Sequence, residues 1–135
     1  MSVKFESYVD EVTEAMESAA VAWLHEAAGE IEAQTKRNTA VDTGQLKSSW
    51  QYTVDKEKLE AYVGSALENA IWEEFGTGQY ALNGNGRKTP WVYKDSKGEW
   101  HRTSGKRPRR ALFNAFNALK KRLIDSANQK FKGLK

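Results

Sequence analysis

The sequence contains no cysteine, which removes disulfides, thiolate metal sites and cysteine nucleophiles together. Histidine is almost as scarce. His25 and His101 are the only two, which leaves little for acid–base chemistry or metal binding. Proline occurs twice, at Pro90 and Pro108, so long stretches carry no helix breaker. There is no run of 18 apolar residues, so no membrane-spanning helix is expected. The opening MSVKFESYVDEV has no apolar segment of the signal-peptide kind. These absences point away from a membrane protein and from an enzyme.

What is present is a chain of 135 residues with 5 Trp, 5 Tyr and 5 Phe, too aromatic to be disordered. Its length fits one domain, residues 1–135, expected to bury roughly two thirds of its unfolded surface. Charge is unevenly spread. Residues 1–35 carry Lys4 against eight acids, whereas 84–122 carry twelve bases against two acids. Unless the two regions pair within the fold, they predict either a nucleic-acid patch or head-to-tail packing of identical copies in which acid meets base.

Residues 5–36 read as one long helix, with Phe5, Val9, Val12, Met16, Ala20, Trp23, Ala27 and Ile31 spaced by three and four. A rod of roughly 45 Å is long for so small a domain, so part of it should project or pack on a neighbour. Gly29 is its weak point, and Asn38 a plausible stop. The segment 39–103 holds short helices, sheet and loop. Asp42 and Thr43, with Gly44, are turn and capping residues before a short helix, Gln45 to Ser49, that turns Leu46 and Trp50 inward together. Trp50, Tyr52 and Val54 then alternate as a strand, and Ala61 to Gly64 pairs with it as a hairpin. Asn69 to Phe75 is a helical turn ended by Gly76, Thr77 and Gly78, and 79–90 is a loop. A second hairpin, Trp91–Lys94 with Glu99–Thr103, turns at Gly98 and should bury one aromatic face. The last helix, 109–131, follows Pro108 with a stripe of Leu112, Phe116, Leu119, Leu123, Ala127 and Phe131. Long N-terminal helix, small antiparallel sheet with a hairpin, and a C-terminal helix packed on the sheet make an α+β fold.

Catalytic and metal motifs are incomplete. His25-Glu26-Ala-Ala-Gly29 puts glycine where a helical zinc-protease motif has its second histidine. Gly84-Asn-Gly86-Arg-Lys-Thr89 has the composition of a phosphate loop without its spacing or its following helix. Glu73 and Glu74, being adjacent, cannot face one cleft, so one should be solvated and the other cap or pair locally. A site built from Glu74 and His101 is the residual enzymatic alternative. No catalytic residue, cofactor or metal is expected. The stronger candidate is the basic 84–122 segment, where Arg87, Lys88, Lys106, Arg107, Arg109 and Arg110 neighbour Trp91, Tyr93 and Trp100. Bases interleaved with aromatics bind phosphates and stack nucleobases, so sequence-nonspecific nucleic-acid binding is an alternative function.

Val41-Asp-Thr-Gly-Gln-Leu-Lys-Ser-Ser-Trp50 resembles the "D-T-G-x-L-R-x-S" segment of the gene-product-ten-like family of tailed phages. Tyr62-Val-Gly64 looks like its "V-G" strand, and Asn69-Ala-Ile-Trp-Glu-Glu-Phe-Gly-Thr77 its "Y-A-x-x-v-E-F-G-T" segment. Thr103-Ser-Gly105 through Ala115 looks like its closing "G-x-x-P-x-x-F-l-x-x-A". The shared residues are thus Asp42, Thr43, Gly44, Leu46, Ser49, Gly64, Glu74, Phe75, Gly76, Thr77 and Gly105. Among them the glycines Gly44, Gly64 and Gly76, with Gly78, fit tight turns. Leu46, Trp50, Ile71, Trp72 and Phe75 should supply a core beneath the sheet, and Asp42 and Glu74 should fix loops by accepting backbone N–H bonds. The resemblance implies a structural, non-catalytic virion protein of the neck, acting in tail completion or head–tail joining. It implies a ring of copies, six favoured over twelve, between connector and tail-tube proteins. DNA would pass through the lumen, no membrane is involved, and the chain would be made in the cytoplasm of a bacterial host.

Overall fold

The computed structural model describes residues 2–40, 44–84, 86–95 and 97–132, the side chains of 2–9 excepted. Asp42 and Thr43 therefore lie outside the described residues. The fold is α+β. Helix α1 (Ser2–Asn38) runs unbroken through Gly29 for 37 residues, about 55 Å. Lys36 and Arg37 in its last turn complement the negative end of the helix dipole. The short α2 (Gln45–Ser49) starts at Gly44, whose φ of 80° is left-handed. It feeds β1 (Trp50–Asp55), which pairs antiparallel with β2 (Glu60–Ser65) from Trp50 opposite Ser65 to Asp55 opposite Glu60. Helix α3 (Asn69–Phe75) and a 3₁₀ turn, Gly78–Tyr80, lead through the loop to β3 (Trp91–Lys94) and β4 (Trp100–Thr103). Helix α4 (Ala111–Lys132) closes the chain.

The strands form two separate two-stranded sheets rather than one. Helix α1 packs on the β1–β2 sheet and runs antiparallel to α4. Two ion pairs join the helices, Glu30–Arg122 and Glu26–Lys130, both at 3.2 Å. Trp23 Nε1 also donates to the Leu123 carbonyl at 2.9 Å, and Asn38 Nδ2 to that of Ala111 at 3.1 Å. Acid and base thus meet partly within the chain. The first turns of α4 overlook β2.

The core is narrow. Ala27, Ala28, Trp50, Ala70, Ala111, Ala115 and Leu123 are its buried hydrophobic residues among those described. The seam of α4 is thus the i, i+4 line through Ala111, Ala115, Leu119 and Leu123, which places Phe116 and Phe131 of the expected stripe outside it. Small side chains allow α1 and α4 to approach closely, and that is why the alanines are inside. The α3 expectation is corrected too. Ile71, Trp72 and Phe75 are 60%, 48% and 41% exposed, and the inward face of α3 is Ala70 and Glu74. On the second hairpin neither face is buried: Tyr93, Val92 and Trp100 all lie open. The accessible surface is 9858 Å², against about 7,100 Å² for a folded monomer of this mass. Only about 55% of the unfolded surface is removed, short of the two thirds expected.

Gly76 and Gly105 are needed where they sit. Gly76 has φ of 77°, and a Cβ there would lie 2.9 Å from both the Lys106 and Tyr80 carbonyl oxygens. Gly105, at φ 126°, would drive its Cβ into the Thr77 carbonyl. Between them the backbone of 77–79 crosses that of 104–106. Thr77 N–H donates to Lys106 O at 2.9 Å, Gln79 N–H to Ser104 O at 3.1 Å, and Lys106 N–H to Thr77 O at 3.2 Å. Gly64 is different, and the tight-turn reading is corrected for it: it lies within β2, opposite Gln51, with open space around its Cα. Gly64→Ala is therefore expected to change stability by less than about 0.5 kcal/mol or to raise it slightly, as read by urea denaturation.

Candidate functional site

Helix α4 begins without a cap of its own. Arg110, the residue before Ala111, has φ of 58° and no side-chain acceptor to offer. The orphan N–H groups of the first turn are instead served from α3. Glu74, buried, accepts from Leu112 N–H at Oε1 (2.9 Å) and from Phe113 N–H at Oε2 (3.1 Å). These are the second and third residues of the helix, the donors that a Ser or Asp cap normally takes. Arg110 Nε donates to the same Oε2 at 3.3 Å, and its guanidinium lies 4.1 Å from the Phe113 ring centroid. Glu74 thus accepts backbone N–H groups as expected, but at the start of a helix and not in a loop.

Glu73 grips the preceding loop. Its carbonyl accepts from Arg109 N–H at 2.7 Å, and its carboxylate pairs with Lys106 and, at 3.7 Å, with Arg109. The sequence offered no sign of these pairings, because more than thirty residues separate the partners. Above this junction opens a cavity of about 420 Å³ lined by Ile31, Ala61, Val63, Phe75, Leu112, Phe113 and Phe116, with Glu74 and Arg110 at its polar end.

The expected basic patch is therefore only partly free. Lys106, Arg109 and Arg110 are engaged with Glu73 and Glu74. Arg107 lies 4.8 Å from the Tyr80 ring centroid and Arg87 lies 5.8 Å from that of Trp91, while Lys88 is exposed. Leu46, Ser49, Phe75 and Thr77 do not converge on one cleft. Leu46 is half-buried, and Ser49 shares a hydrogen bond of 2.6 Å with Ser65.

The second hairpin holds a group that sequence reading passed over. Asp95 Oδ1 accepts from the N–H groups of Lys97 (2.9 Å) and Glu99 (2.8 Å), and Oδ2 meets His101 Nε2 at 2.7 Å. Aspartate at the head of a turn, six residues before a histidine on the returning strand, was the available signal. Ligand atoms of Asp95, Glu99 and His101 lie within 4.8 Å of one another, as a metal site requires, but Asp95 Oδ1 is already taken by the turn N–H groups and Oδ2 by His101. Hydrogen bonding from His101, then from Glu99 N–H, holds the Asp95 carboxyl below its ordinary 3.8. A group depressed in the folded chain stabilises it above the unfolded value. The turn is therefore expected to be intact at neutral pH and to loosen only as pH falls through the lowered Asp95 value. Carboxyl-carbon NMR titration should place that midpoint under 3.8 and show it vanish in Asp95→Asn.

A family model for HK97-gp10-like proteins, described as bacteriophage tail components, matches residues 3–76, more than half of the chain. The chain belongs to the HK97-gp10-like family. No curated protein and no solved structure matches it. The HK97-gp10-like match takes in α1 to α3 and three of the four segments that carried the resemblance, through Gly76. The fourth, from Thr103 to Ala115, lies beyond it.

Proposed function

We propose that this tail component is a structural subunit of the head–tail connection, assembled as a ring of identical copies at the neck and acting in tail completion. The observation that carries the reading is the surplus surface. The chain exposes roughly 2,700 Å² more than a monomer of its mass should. Much of its large apolar content lies in that surface: Val12 and Met16 on α1, Ile71, Trp72 and Phe75 on α3, Phe113, Phe116 and Ile124 on α4. Single exposed apolar residues are ordinary, but neighbouring ones on three helices are what subunit interfaces are made of. A ring needs two unlike patches per copy, and the polarised charge supplies them. A mechanical role without catalysis is supported by the use of Glu73, Glu74 and Asp95 as structural clamps. On this reading the neighbours are connector and tail-tube proteins, six copies suit the tail symmetry, and lumenal bases such as Lys88 would face the passing DNA. Disrupting the gene in the phage that carries it should leave filled heads and finished tails unjoined, with titre down by orders of magnitude. Unchanged titre, or a neck reconstruction without this chain, would refute the proposal.

A further inference from the structure

Two helical faces of the chain carry large apolar side chains left about half exposed, and they are complementary. Helix α1 outruns the antiparallel α4 at its N-terminal end, so that 10–18 are all exposed. On this arm Val12 and Met16 sit one turn apart on one side, each about half exposed. Asp10, Glu11, Glu14 and Glu17 occupy the flanks and the rear, with no base between 10 and 18 and no salt bridge among the described residues. The other face is the outer side of α4. Phe113, Phe116, Lys120 and Ile124 recur there at steps of three and four, and Phe113 and Phe116 also border the cavity beside Phe75. From Ala111 to Asp125 there are three bases and one acid, Asp125, which shares a groove with Lys120, Lys121 and Ile124. Arg122 is taken by Glu30, while Lys120 and Lys121 form no salt bridge among the described residues.

We propose that the projecting 10–18 arm of one copy docks along the outer face of α4 on the next, Val12 and Met16 seating against Phe113, Phe116 and Ile124. The inference rests on the ring reading and names its subunit contact. The arm cannot reach its own α4 face, because α1 is one unbroken helix antiparallel to α4 and carries 10–18 past the Lys130 end, away from Phe113 and Phe116. The contact is therefore between copies and heterologous, each chain giving an arm and receiving one. Charge agrees in sign, with the acidic arm lying over Lys120 and Lys121. Area agrees as well. A stable interface takes about 800 Å² from each partner, so a copy contacted on both sides loses about 1,600 Å², more than half of the surplus.

The absence of hidden residues on either face makes the test clean. The arm variant is Val12→Glu with Met16→Glu, the face variant Phe116→Glu with Ile124→Glu, and both should keep the parent circular dichroism spectrum. Should the face variant misfold, Lys120→Glu with Lys121→Glu replaces it. By sedimentation and native mass spectrometry, the parent chain is expected to self-associate at high concentration and each variant at least tenfold more weakly. Mixed in equal amounts, the two variants retain one intact arm and one intact face, so the mixture should yield a dimer and nothing larger. Variants that assemble like the parent, or a mixture that stays monomeric, would overturn the docking, as would a parent chain that is monomeric at millimolar concentration. The ring itself is judged separately: a neck reconstruction with copies in a ring joined by other surfaces keeps that reading and discards this contact.

Discussion

Replacing Trp50 by alanine is expected to lower stability by about 4 kcal/mol, the usual range for emptying a large aromatic site. For 135 residues that is a fall in Tm of about 14 °C. Trp50 is 3% exposed and is one of few large side chains inside. Its Nε1–H donates to Thr39 Oγ1 at 2.9 Å, and Thr39 Oγ1 donates in turn to the Thr35 carbonyl at 2.7 Å. Thr35 continues the ladder to the Ile31 carbonyl at 2.7 Å. The indole therefore ties the end of α1 to the start of β1 through polar groups that must stay satisfied. Trp50→Phe separates the two contributions. It keeps most of the volume and loses the N–H, and should cost only about 1–1.5 kcal/mol. Thermal denaturation followed by circular dichroism distinguishes these outcomes. If the two variants melted together, the indole would be acting through its hydrogen bond alone.

Glu74→Ala should cost about 3 kcal/mol, since two charge-assisted bonds to helix N–H groups are lost and Arg110 loses its counter-ion in a half-buried site. The Tm should fall by about 10 °C. Glu74→Gln keeps an acceptor oxygen and should lose roughly half as much. The local signature is amide exchange, with Leu112 and Phe113 losing protection well before the α1–α4 seam does. Uniform loss along α4 would mean that the carboxylate stabilises the fold generally rather than capping that helix. The left-handed Arg110 sharpens the expectation. Its strained backbone is held by Glu74 on one side and the Phe113 ring on the other, so freeing the carboxylate releases both restraints.

The long helices were readable because the 3.6-residue period survives any packing arrangement. The first hairpin showed for the same reason at period two, and Gly98 marked the turn of the second. What spacing cannot say is whether the chain itself covers a given face. Ile71, Trp72 and Phe75 looked like core because they are large and apolar, yet the space beneath α3 is taken by Ala70 and a carboxylate. Likewise the α1–α4 seam runs along alanines, whose small size makes close approach possible but gives a weak hydropathy signal. Glu74 could be named from its position in a segment resembling a family motif. Its donors could not, because the start of α4 reaches it only in three dimensions. Lys106 and Arg109 read from sequence only as members of a basic segment for the same reason, as their partner Glu73 lies more than thirty positions earlier.

The backbone crossing between 77–79 and 104–106 returns the chain to where it left. Everything between, the loop and the open hairpin, is an excursion whose two ends are already clasped, and the family match stops at Gly76, one residue before the clasp. A closed excursion of this kind can be lengthened, shortened or exchanged at little entropic cost, because its anchor points do not move. The frame of α1, the first sheet, α3 and α4 is thereby insulated from changes in the length or shape of the excursion.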